Sequence, residues 1–272
     1  MKPFQLINTL GLKYFSPVPK RIRIFASTLT MTFLLLLSTF FQFSDWWWLW
    51  VPVFLFTAYF LTFFSVLEGV DGIEWLMLFL MPVIFTISIY FFYSIFPVRW
   101  LTRLPLMGLY AFGFYALLLT SNIFNVGVEK SIQLYRAAFS VNYLFQTFMV
   151  FLLMLVLFFF KQSFLVNGLI ASILTIPFIT QLSWTVNPNA AYDKDLLKYT
   201  WVVGIFTFEV AVLASFIPLK SSISALLMTA IYYSLTGLIY HFLDHKLYQQ
   251  VVREYVFVLL FVVAIAFLTL RW

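Results

Sequence analysis

Nine apolar runs divide the chain, at about 24–43, 46–67, 73–95, 104–124, 137–160, 163–183, 200–217, 221–241 and 255–271, with short polar breaks between them. A helix needs roughly 20 predominantly apolar residues to cross about 30 Å of hydrocarbon, and most of the runs approach that length. The pattern predicts an all-α fold: a polytopic transmembrane helical bundle of about nine spans. The break between the first two runs is tight and the last run is short, so eight crossings are the alternative. Residues 1–23 read as a basic juxtamembrane segment and 24–272 as a single transmembrane domain. The first run exceeds a signal-peptide core and ends in FQFSDWWW, without a small-x-small cleavage pattern, so it is read as a retained helix.

Composition strengthens this reading. Hydrophobic residues make up 64% of the 272, charged residues 10%, and the mean hydropathy is +1.00. A soluble domain carries about 25% charged residues, so this chain cannot clothe a water-facing surface, and the lipid bilayer is its solvent. The sequence has no cysteine, which removes disulfides, thiolate metal sites and cysteine nucleophiles. The net charge of +6 is scattered over loop ends and does not read as a nucleic-acid footprint. The exception is Lys13, Lys20, Arg21 and Arg23 before the first span, a basic cluster expected to meet anionic lipid headgroups.

All nine tryptophans lie near proposed span ends, the depth at which indole is half in lipid and half in water. With the N-terminus inside, eleven Lys and Arg fall on the inner side and five on the outer, which the positive-inside rule favours. Five of those eleven come from the N-terminal segment. The expected location is the bacterial cytoplasmic membrane. Either way round, the loops near 125–136, 184–199 and 242–254 share one face and hold most of the mixed charge.

In lipid, helices approach closely where residues are small. Gly168 with Ser172, Ala211 with Ser215, and Ala230 with Ser234 have that spacing, and Gly108, Ala111 and Gly113 add small surface to the fourth run. Runs four to eight are therefore expected to form the packed bundle, with the first three more peripheral. The fifth run is the most polar. Arg136, Ser140, Tyr143 and Thr147 fall within about 60° of one face at 100° per residue, and Asn142 and Gln146 form a second stripe about 100° away.

One residue stands out by its cost. Glu209 is the only charge in WVVGIFTFEVAVLASFI, 201–217, near the midpoint of the seventh run. A charge at that depth costs about 2.5–3.5 kcal/mol on insertion scales. Ile205, Phe206, Val212 and Leu213 surround it on its own helix, so relief must come from another helix, from water or from a proton. Gln146 lies at similar depth. Glu209 is expected to face the bundle interior and to hydrogen-bond Gln146 or another polar residue of the neighbouring spans.

Two shorter patterns are also considered. MPVIFTIS (81–88) and IPFITQLS (176–183) each place a proline in a span, a spacing that corresponding broken helices of transporter repeats share; chance also produces it. HFLDH (241–245) holds the two histidines, and a spacing of four puts both on one helix face, beside Asp244. Two imidazoles and an acid make an incomplete ligand set, so no metal site and no cofactor is inferred. The chain has no Walker-type loop, H-E-x-x-H or G-x-S-x-G motif, and no mid-span lysine for a retinal Schiff base.

The segments FPVRWLTRLPL (96–106), ALLLTSNIFNV (116–126), IQLYRAAF (132–139) and VVREY (251–255) resemble a family of uncharacterised bacterial polytopic membrane proteins, from about residue 66 onward. The resemblance implies an integral membrane protein of bacterial origin and carries no activity or site residue with it.

Three function classes follow. A transporter or permease-like protein would use Glu209 as a protonatable midplane carboxylate, with Asn142 and Gln146 lining its path. A membrane-embedded enzyme of lipid or envelope metabolism would work on the charged-loop face with Glu129, Arg136, His241, Asp244, His245, Arg253 or Glu254. A non-catalytic membrane assembly protein would need neither set for chemistry.

Overall fold

The computed structural model describes residues 18–41, 47–66, 70, 72–95, 100–126, 132–188 and 196–270. Among them, nine helices are long and apolar enough to cross a membrane: α1 (Lys20–Ser38), α2 (Trp50–Val66, led by a 3₁₀ turn at Trp47–Leu49), α3 (Glu74–Ser94), α4 (Trp100–Val126), α5 (Ile132–Phe159), α6 (Phe164–Trp184), α7 (Leu196–Phe216), α8 (Ser221–Leu243) and α9 (Gln249–Leu268). The helices match the nine apolar runs. Helical hydrogen bonding continues past the apolar stretch into the interface, so α9 begins ahead of its run and takes in Arg253 and Glu254. Hydrocarbon allows no unpaired backbone polar group, and a helix satisfies its own.

The chain groups into two compact units, the first running to Phe145 with Asn189–Ala191 and the second comprising Gln146–Pro188 and Tyr192–Trp272. In the first unit α1 packs on α2 and α4, and α3 packs on α2 and α4. Hydroxyls join these helices: Ser65 donates to the Ser27 hydroxyl at 2.9 Å, the Thr86 and Tyr110 hydroxyls pair at 2.8 Å, and Ser121 donates to the Leu78 carbonyl. Arg103 reaches from α4 to the Tyr93 hydroxyl and the Thr39 carbonyl, with its guanidinium over the Phe40 ring.

Two expectations are corrected here. The third span is not peripheral: α3 is the most buried of the nine, because its bulky Phe, Tyr and Met side chains fill the space between α2 and α4. Arg23 is not held among lipid headgroups either. It lies one turn inside α1 and is 2% exposed, while Arg21 is exposed and Lys20 half-buried; Lys13 lies outside the described residues. Trp75 and Trp184 do sit at helix ends, yet both are packed within protein.

In the second unit α6 and α7 form the closest pair, with α8 against both and α9 against α8. Small residues bring α6 and α7 together. A Cβ added at Gly168 would lie 2.8 Å from Val212 and 2.9 Å from Phe208, and one at Gly204 would lie 3.1 Å from Ile176. At that approach the Thr175 and Thr207 hydroxyls pair at 2.9 Å, and Asn167 donates from Nδ2 to Ser215 at 3.0 Å. Ser234 donates from α8 to the Tyr255 carbonyl of α9. The predicted small-residue pairs thus mark the α6–α7 and α8–α9 contacts, but Gly108 has open space around it. Pro82 and Pro177 lie inside continuous helices, so neither span is broken.

Candidate functional site

Polar residues within the spans gather at one place in the second unit. Gln146, at the middle of α5, donates from Nε2 to Oε1 of Gln181 on α6 at 2.6 Å. Its own Oε1 accepts from the Tyr232 hydroxyl of α8 at 3.0 Å. None of the three is more than 1% exposed. Both ends of the Gln146 amide are therefore engaged, which fixes its orientation. Such a chain binds three helices together, since each group would otherwise lie unsatisfied in an apolar medium. Gln181 and Tyr232 were not among the residues picked out from sequence; Tyr232 is marked by its mid-span place in α8, whereas Gln181 sits in the last turn of α6, where polarity carries no such signal.

Glu209 is not part of this cluster. The expectation that it turns inward to meet Gln146 is overturned: Glu209 is exposed on α7, and Gln146 is satisfied by Gln181 and Tyr232. Exposed apolar side chains surround the carboxylate, among them Val202, Ile205, Phe206, Leu213 and Phe216. The helix turns its other side to α6, with Gly204, Thr207, Ala211 and Ala214 buried. Glu209 lies about 140–160° from those four at 100° per residue, so the close-packing face dictates where the acid points.

The fifth-span stripes separate in the same manner. Asn142 is 1% exposed and Tyr143 buried, whereas Arg136 and Ser140 are exposed and Thr147 is intermediate. The Arg136 stripe is thus open at its Arg136 and Ser140 end and covered at Tyr143. The buried stripe is the Asn142–Gln146 one.

On the charged-loop face, Glu129 lies outside the described residues. Arg253 and Glu254 are exposed in the first turns of α9. His241 is in the last turn of α8, with its Nδ1 buried and unpartnered and its ring against Tyr240 and Tyr255. The two histidines do not share a helix face, as their spacing predicted: α8 ends at Leu243, and His245 takes the left-handed conformation at φ 54°. Asp244 is engaged by Lys246 at 2.6 Å. Among the described residues, no three His, Asp or Glu side chains converge on a common point.

A third polar group lies at the end of the second unit where α5 and α7 finish and α6 and α8 begin. Here a notch of about 260 Å³ is lined by Lys161, Gln162, Asn167, Ser215, Ser221 and Ser224 with a few apolar neighbours. Sequence reasoning missed it, because its residues come from four helix ends spread over more than sixty positions.

The fold and these polar groups define an all-α, multi-pass integral membrane protein in whose second unit the buried Gln146, Gln181 and Tyr232 side chains join three helices. No protein-family model, curated protein or solved structure matches the chain.

Proposed function

We propose that this protein is a non-catalytic assembly subunit of a membrane complex, which takes a partner's transmembrane helix on the Glu209 face of α7. The observation that carries this reading is an exposed carboxyl at mid-span in an otherwise apolar face. Facing lipid, it costs about 2.5–3.5 kcal/mol. A partner helix with Arg or Lys at the same depth supplies the counter-charge and offsets that cost. A second copy does not fit this role, since the chain has no lysine or arginine near the centre of any span.

The transporter reading drew its proton-carrying acid from a Glu209 lining an interior path with Asn142 and Gln146. With Glu209 on the surface and the Gln146 amide engaged at both ends, that path lacks its acid. The enzyme reading has no comparable support, as Arg253 and Glu254 are exposed and Asp244 is held by Lys246.

Photo-crosslinking residues placed at Ile205 and Leu213, beside Glu209, test the assembly reading in native membranes. The expected adduct joins a membrane helix of another protein bearing a mid-span basic residue, and it disappears in Glu209→Leu. Adducts to lipid alone, or adducts unchanged by Glu209→Leu, overturn the reading.

A further inference from the structure

The notch has unspent hydrogen-bonding capacity that its own protein does not use. Asn167 is 3% exposed. Its Nδ2 donates to the Gln162 carbonyl and to Ser215, which fixes the amide, and its Oδ1 is left without a partner. Ser224, also 3% exposed, lines the same notch. Buried polar groups are ordinarily satisfied, so an unmet amide oxygen in a polar notch points to a missing ligand.

The electrostatics of the notch suit an anion. The first turns of α6 and α8 both open at this end, and neither N-cap, Ser163 nor Lys220, makes a side-chain capping hydrogen bond. Their leading amides are the open donors that bind phosphate at helix N-termini. Lys161 lines the notch, and Lys220 immediately precedes Ser221; both are exposed. The two connections at this end, 160–163 and 217–220, carry no acid. Lys161 holds a left-handed backbone at φ 48°, a place where helix ends ordinarily use glycine, so the side chain is present despite a conformational cost. A volume near 260 Å³ exceeds that of a few waters and falls just under the range for drug-sized ligands.

We infer that this notch, at the end of α5–α8, binds a phosphate bearing a neighbouring hydrogen-bond donor, a hydroxyl or an ammonium. The phosphate meets Lys161 and the first-turn amides of α6 and α8, and the donor meets Asn167 Oδ1. Helices of this length end at headgroup depth, so a phospholipid headgroup is one source and a soluble phosphomonoester is the other. The inference is independent of the Glu209 reading.

The test uses the full chain in mild detergent, with lipid retention read by native mass spectrometry. Phosphatidylglycerol and phosphatidylethanolamine carry the donor, whereas phosphatidylcholine has the phosphate without one. The first two are expected to be retained at least fivefold over the third. Asn167→Leu is expected to bring that ratio to about one, and Lys161→Gly, which keeps a residue suited to the left-handed turn, to lower retention of all three. Ser224→Ala gives a milder second variant should Asn167→Leu fail to fold, and is expected to cut retention of the two donor lipids at least twofold. Displacement of the lipids by millimolar glycerol 3-phosphate assigns the site to soluble phosphomonoesters, and no displacement assigns it to lipid. Equal retention of phosphatidylcholine, or retention unchanged in Lys161→Gly and Ser224→Ala, overturns the inference.

Discussion

Gln146 and Gln181 meet amide to amide at 2.6 Å, with Tyr232 closing the chain on the other side of Gln146. Three helices of the second unit are joined through one side chain. Gln146→Leu leaves both partners short of a hydrogen bond and is expected to lower stability by about 1–2 kcal/mol. Adding Tyr232→Phe removes one of the stranded groups, so the double variant should cost less than the sum of the two singles. Reversible unfolding in detergent measures both, and strict additivity would refute the coupling.

The α6–α7 contact gives a second prediction. Gly168→Ala places a methyl 2.8 Å from Val212 and 2.9 Å from Phe208 and should destabilise by about 1–3 kcal/mol through overpacking. Gly108→Ala meets nothing within 4 Å and should be neutral or stabilising by up to about 1 kcal/mol, from helix propensity. Thermal stability of the two variants in one detergent compares them directly, and the opposite order would mean that the packing faces are misassigned.

For the isolated chain in lipid nanodiscs, Glu209→Leu should raise stability by about 2–3 kcal/mol, because it removes an acid from a lipid-facing position. A hydrophobic carbodiimide dissolved in the bilayer should modify Glu209, and a water-soluble one should leave it untouched. Loss of stability in the leucine variant would return the carboxyl to the protein interior.

Lys161 supplies a backbone prediction. At φ 48° a residue with a Cβ costs about 1 kcal/mol or more that glycine does not. Lys161→Gly should therefore stabilise the α5–α6 connection by about 1 kcal/mol, and Lys161→Ala should not. Equal melting temperatures for the two variants would show that the turn relaxes away from the left-handed conformation.

Much of the architecture was legible along the chain. Span number to within one and approximate limits follow from apolar run length, since both depend only on what a segment must do to cross hydrocarbon. The tryptophans near Trp47, Trp50 and Trp184 do mark helix ends. The small residues Gly168, Ala211 and Ser234 correctly announced close helix pairs, because a missing side chain is a local property with a direct effect on approach.

The direction of Glu209 was misread, although the seventh run held the signal. Its small residues Gly204, Thr207, Ala211 and Ala214 lie on the side opposite the acid, and small residues mark the packed face. Cost alone suggested burial, whereas burial in a helix pair this close leaves no room for a carboxylate. His241 and His245 were placed on one face by counting residues through a helix that in fact ends between them.

By itself the sequence determined that this chain lives in a bilayer, as eight or nine helices, because hydrophobicity and backbone satisfaction act segment by segment. It could not determine which side of each helix is covered. In water, burial sorts apolar from polar faces and leaves a periodic trace. In lipid the outside is as apolar as the inside, so a run such as α7 carries almost no hydrophobic periodicity. Only the tertiary structure brought Gln146, Gln181 and Tyr232 into one chain of hydrogen bonds. It alone gathered four helix ends around Asn167 and left Glu209 on the surface.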